Sequence, residues 1–170
     1  MKTLNSRGQI FSTDLILASI VFMFILVLSI TYSAEVANRV SLLEEDNARN
    51  LAASNAANAL LFSGGSPANW QNLEDLNNVS SIGLARTRNE LSPGKIAHLV
   101  DLNAGNYEGV RHLLGLSKYG IAISILRLQN SQSLAEFGIQ PGNGKKVSAV
   151  NRIALYNGEE VLVRLKVFEE

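Results

Sequence analysis

His98 and His112 are the only histidines of this chain, and they stand fourteen residues apart in no H-E-x-x-H or similar ligand spacing. A packing or surface role is therefore expected for both, not a metal site. The carboxylates Glu74 and Asp75 are adjacent, and Glu159 and Glu160 flank a turn signal. Neither pair is set by its spacing into acid–base geometry, so solvated charge is the expectation. Gln140-Pro141-Gly142-Asn143-Gly144-Lys145-Lys146 has the composition of a phosphate loop. Its glycines at 138 and 144 are wrongly spaced for one, however, and Lys146 stands where a Ser or Thr would hold magnesium. A glycine-rich strand connection with Lys145 and Lys146 as an exposed basic tip fits better. The chain has no cysteine, which excludes disulfides, thiolate ligands and a cysteine nucleophile. No catalytic residue, metal or cofactor is expected, and the chain is not read as an enzyme. Asn78-Val79-Ser80 is an N-glycosylation sequon on an expected loop, which makes Asn78 a candidate modification site.

Asp14 is the one acidic residue at the edge of an apolar run. A carboxylate there is costly unless it reaches the interface or a cation, which invites a functional explanation. A helix cap beside Ser12 and Thr13 also accounts for it, because the first turn of a helix presents unpaired N–H groups and a positive dipole end. From Leu15 to Tyr32 the chain reads LILASIVFMFILVLSITY, eighteen residues without a charge. The hydroxyls of Ser19, Ser29 and Thr31 can bond back to helix carbonyls. At about 1.5 Å per residue such a helix nearly crosses a ~30 Å hydrocarbon layer, and Ile10 and Phe11 extend it.

Lys2 and Arg7 precede the run and the first charge after it is Glu35, so the positive-inside tendency keeps the N-terminus cytoplasmic and places residues beyond about Ser33 outside. A cleaved secretory signal is the competing reading. The run exceeds the usual apolar core of ~7–15 residues, and Thr31-Tyr32-Ser33-Ala34 is a poor cleavage site. With 170 residues there is room for one domain and one extra element. The formal net charge is zero, so nothing draws the chain to a nucleic acid.

Arg7-Gly8-Gln9, then Ile10-Phe11-Ser12-Thr13-Asp14 and the apolar run, resembles the class III signal peptide of archaeal type IV pilin-like proteins. The resemblance covers about twenty-five residues. It implies that a prepilin peptidase cuts between Gly8 and Gln9, releasing a basic leader and leaving the helix on the mature protein. It also implies that Asp14 neutralises the new amine on Gln9 of a neighbouring subunit while apolar helices pack side by side. In that family the acidic residue usually stands fifth after the cut, whereas Asp14 is sixth. Gly65-Ser66-Pro67-Ala68-Asn69-Trp70, Ile82-Gly83-Leu84-Ala85 and Leu91-Ser92-Pro93-Gly94-Lys95 also resemble the head region of members of this group.

The elements that must position these residues follow from the pattern. Ala34 to Phe62 holds no glycine or proline, so the helix continues from the membrane as a stalk of roughly fifty residues, ~80 Å. Val36, Val40 and Leu43 recur at helical spacing, and Leu51, Asn55, Asn58 and Phe62 continue it, pointing to that face as the one that holds a head. Alanines at 48, 52, 56 and 59 permit close approach of another element. Ser63-Gly64-Gly65-Ser66-Pro67 ends the helix. Short helices are expected from Pro93 through Val100 and from Tyr107 to about Leu114. Strands are expected over Tyr119–Leu128, Val147–Tyr156 and 161–168, the last two joined by an Asn157-Gly158 hairpin.

The expected fold class is α+β, a long apolar helix with a head of short helices and a C-terminal antiparallel sheet whose apolar face packs on the stalk. The expected organisation is leader 1–8, transmembrane and stalk helix 9–62 and extracytoplasmic head 63–170. The function expected is a structural subunit, of major, minor or pseudopilin type, of a type IV pilus-like filament that displays its head for adhesion or interaction. Its partners would be membrane lipid, prepilin peptidase and copies of itself or other pilin-like subunits. The alternative is a monomeric, single-pass, membrane-anchored extracytoplasmic binding protein.

Overall fold

The computed structural model describes residues 6–73 and 75–169, with side chains from residue 13 onward except at 104. The fold is α+β, and the chain divides into two compact units, Met1–Glu45 and Asp46–Glu170. Helix α1 runs over Ser6–Phe62, 57 residues, and contributes to both. Among the described residues of the first unit it is the only element. Ser19 Oγ donates to the Leu15 carbonyl at 2.8 Å and Thr31 Oγ1 to that of Leu28 at 3.0 Å, so both hydroxyls are satisfied inside the helix. The helix starts eight residues before Asp14, which therefore stands in a regular turn and is not its cap.

In the second unit the inward face of α1 carries Arg49, Ala53, Ala56, Ala57, Leu60 and Leu61, all buried. The spacing of the larger apolar residues had pointed to Leu51, Asn55, Asn58 and Phe62, but Leu51, Asn55 and Phe62 are exposed. Alanine explains the choice. A face with three methyl side chains brings the helix backbone close to its neighbours, and Leu60 and Leu61 then fill the space beyond it. The alanine expectation is met at 52 and 56 and not at 48 and 59, which face outward.

The end of α1 is buried, and its final carbonyls need partners that the helix cannot supply. Leu84 N–H donates to Leu60 O at 2.7 Å, Asn89 N–H to Leu61 O at 3.4 Å and Ala85 N–H to Ser63 O at 3.2 Å. Lys95, only 5% exposed, donates its ammonium to Gly64 O at 2.7 Å and Ala85 O at 3.0 Å. Desolvation by burial pulls its pKa below the ordinary lysine value. Gly83 lies so close to the Ser63 carbonyl that a side chain would strike it.

Six strands form one sheet in the order β1-β2-β5-β6-β3-β4: β1 Ala85–Thr87, β2 Glu90–Leu91, β3 Tyr119–Arg127, β4 Ser133–Gly138, β5 Val147–Tyr156 and β6 Glu159–Glu169. All neighbours are antiparallel except β2 and β5. Val161, Val163, Leu165 and Val167 alternate inward as their spacing requires, and join the α1 residues, Ile121, Ile123, Ile125 and Trp70 in one core. Asn157 and Gly158 take the positive φ values, 52° and 83°, of the two-residue hairpin turn. Helices α2 (Pro93–Asp101) and α3 (Tyr107–Leu113) agree with the expected segments. Strands β1, β2 and β4 were not expected.

Candidate functional site

Two regions of the chain are available for recognition, an apolar helical surface in the first unit and a polar cleft in the second. In the first unit, thirteen large apolar side chains between Leu15 and Ile30 are solvent-exposed. The most apolar 18-residue window of the helix has a mean hydropathy of 2.6, and none of it is buried within the chain. By length and composition this helix is apolar enough to cross a membrane. Asp14 is exposed on it. Arg7, Gly8 and Gln9 fall in its first turn, and their side chains lie outside the described residues, as do Glu74 and the residues before Ser6.

The cleft lies between the 3-10 turn Leu76–Asn78 and α3, and has a volume of about 460 Å³. The turn is fixed by its own polar groups. Asp75 accepts from Asn77 N–H at 2.9 Å and from Asn77 Nδ2 at 2.8 Å, and these bonds, the backbone one foremost, hold its carboxyl below the usual aspartate range. Val79 is buried behind the turn, and Ser80 N–H donates to Ser66 O at 2.8 Å.

The opposite wall is fixed by α3. Tyr107 Oη accepts from Ile121 N–H at 2.9 Å, which ties the start of the helix to β3. Arg111, buried on the inner side, donates to Ser117 O at 2.8 Å and pairs with Glu108 at 2.9 Å. With those contacts made inward, Asn106, Gly109 and His112 line the cleft. The side chains of Asn106 and His112 have no hydrogen-bond partner among the described residues. At Gly109 helix and turn come close: a Cβ there would sit 3.3 Å from Leu76 Cδ1, so a side chain at 109 requires the Leu76 side chain to shift by a few tenths of an ångström.

Sequence reasoning treats Asp75 and His112 as separate solvated groups, and the structure brings them to the same cleft. No periodicity or motif connects positions 75 and 112; only the packing of α3 on β3 does. His98 does not join them. Its ring packs against Trp70 at a tilt of 59°, with centroids 5.5 Å apart. Lys145 and Lys146 are exposed on the β4–β5 connection, and Lys146 lies 3.8 Å from Asp46. Asn78 is exposed. Among the described residues no cluster of three or more metal-ligating side chains occurs.

Compared with models of known protein families, with curated proteins and with solved structures, the chain matches none of them.

Proposed function

We propose that this protein is a structural subunit of a type IV pilus-like surface filament, inserted through α1 and processed between Gly8 and Gln9 by a prepilin peptidase. One observation carries the reading: the apolar window of α1 is wholly unburied within its own chain. Leaving thirteen such side chains in water costs on the order of 20 kcal/mol. That exceeds the roughly 5–15 kcal/mol that keeps a domain folded, so the surface needs lipid or other helices around it. In the membrane the N-terminus is cytoplasmic and the head extracytoplasmic, following Lys2, Arg7 and Glu35.

In the filament, apolar helices of neighbouring subunits replace the lipid, and Asp14 accepts the amine of Gln9 from another copy. A carboxylate–ammonium pair removed from water is retained when each charge finds the other. The head then faces outward for adhesion or interaction. The reading assigns no catalytic residue and no cofactor. It is tested in the native host with Gly8→Val: the wild type starts at Gln9 and sediments with sheared filaments, while the variant keeps its leader and does not. Identical mobility of the two would refute processing.

A second reading, a monomeric single-pass binding protein, is favoured by the polar cleft, which gives the head a place for a ligand. Such a protein keeps Met1 and never enters a filament fraction.

A further inference from the structure

We infer that the outward face of α1 at residues 44–51 of one copy docks on the solvent-facing side of strands β5, β6 and β3 in a neighbouring copy. This rests on the filament reading above, which supplies many copies inserted in one orientation. The solvent-facing side of the sheet is arranged in rows of paired residues. Ile153, Leu162 and Leu126 pair across the three strands into one apolar row, with Ile153 59% exposed, and the exposed Leu155 adjoins it. Such a row in water on a folded head marks a contact surface.

The next two rows of the same face carry Arg164 and Lys166. Both are held by neutral amides: Arg164 Nε donates to Asn151 Oδ1 at 3.0 Å and Lys166 Nζ to Gln140 Oε1 at 3.0 Å. Among the described residues neither cation pairs with a carboxylate. A fitting partner is therefore apolar at one end and acidic at the other.

The chain itself carries that partner. Glu44, Ala48 and Leu51 share one side of α1 at i, i+4 and i+7, with Glu45 next to it. All four are exposed, Leu51 at 63%, and neither glutamate has an ion pair among the described residues. Ala48 lets the helix backbone come close between them. Same-face rows of a sheet are roughly 7 Å apart, so a point midway between Arg164 and Lys166 lies about 10 Å from the apolar row. Seven residues of helix, from Glu44 to Leu51, rise about 10 Å.

The order matches as well. Arg49 bonds Ser148 and Arg152 bonds Ser54, so β5 advances alongside α1 in the same direction, and β6 runs opposite. Along that direction the outer face presents Lys166, Arg164, the apolar row and then Leu155 beside Glu160. Copies inserted in one orientation have parallel α1 helices, and a neighbour's helix presents Glu44 and Glu45, then Leu51, then the exposed Asn55, whose amide suits Glu160. Leu51 and the apolar row stand on opposite sides of the head core, because Ala53 and Leu60 of α1 face it from one side and Val163 and Leu165 of β6 from the other. Two such patches cannot close a two-fold pair, so the contact propagates from copy to copy.

The test uses the full chain in its native host, which has no cysteine of its own. Leu51→Cys is combined with Ile153→Cys, both at exposed positions, and membranes and sheared filaments are oxidised with oxygen and copper-phenanthroline. A disulfide forms only where the two Cα atoms come within about 7 Å. The double variant is expected to give a ladder of covalent dimers, trimers and longer chains, and each single variant none. Reversing Arg164 and Lys166 to Glu is expected to weaken the ladder at least ~tenfold, because like charges then face each other. Adding Glu44→Arg and Glu45→Arg should restore it. Dimers without longer products overturn the inference, and so do accessible thiols that give no ladder in either fraction, or a ladder indifferent to the charge reversal. Filaments of chains starting at Gln9 that show no ladder fail this inference alone. A ladder in the membrane with an empty filament fraction supports this contact and fails the filament reading.

Discussion

Helix α1 is built from the same kind of residue at both ends, yet the two stretches meet opposite fates. Between Leu15 and Ile30 its apolar side chains are all exposed, while between Ala53 and Leu61 its apolar face is buried in the head core. The difference lies in patterning. The first stretch is apolar on every side, as a helix is when its surroundings are apolar all round. The second alternates Ala53, Ala56, Ala57, Leu60 and Leu61 with the exposed Leu51, Asn55 and Phe62, which is the one-sided face of a helix that docks on a sheet. Hydrophobicity alone thus does not say where a helix goes; its distribution around the axis does.

That contrast is open to attack from both ends. The largest effect is expected from Ile20→Arg combined with Leu26→Arg. Each arginine at the centre of a membrane helix costs about 2.5–3.5 kcal/mol of insertion, so the pair should move the chain out of the membrane fraction, while the head still folds. At the other end Leu60→Ala removes a fully buried side chain and should lower head stability by about 2–5 kcal/mol without affecting membrane insertion. Urea unfolding followed by the fluorescence of Trp70, the only tryptophan, reads it out.

A smaller effect tests how the docked face is pinned. Arg49, 5% exposed, donates to Ser148 Oγ at 3.1 Å, Glu169 at 2.6 Å and Asp46 at 2.6 Å. Arg49→Met leaves those acceptors without their donor and should cost about 1–3 kcal/mol. It should also change the acid limb of stability. The hydrogen bond from Arg49 holds the Asp46 carboxyl below the ordinary aspartate value of 3.8. Because the folded-state pKa is the lower one, the contribution of Asp46 is complete above that value and is lost as pH falls through the depressed one. Below about pH 4 the wild type should lose stability more steeply than Arg49→Met. Leu51→Gln, on the outward face, should stay within about 0.5 kcal/mol of wild type, and a larger loss would show that this face is packed in the folded protein.

The long helix, both short helices, the three long strands and the Asn157-Gly158 turn are legible in the sequence, because each is specified by local periodicity or turn chemistry. Strands β1 and β2 are not. They have three and two residues, and exist because the buried end of α1 needs the N–H groups of Leu84, Ala85 and Asn89. β4 escapes for another reason: Ser133–Gly138 mixes polar and apolar residues, and only pairing with β3 makes it a strand. The apolar segment of α1, long enough to cross a membrane, is written in a single run of residues and is visible at once. The cleft joins positions 75–79 to 106–113, and nothing in one dimension announces such a meeting.

The central claim is most directly tested by fractionating the full chain from its host. The account predicts that it remains in the membrane pellet after an alkaline carbonate wash and in the sheared-filament fraction, released from the former only by detergent. A chain that stays in the supernatant, monodisperse at the mass of one subunit with no detergent present, would contradict it.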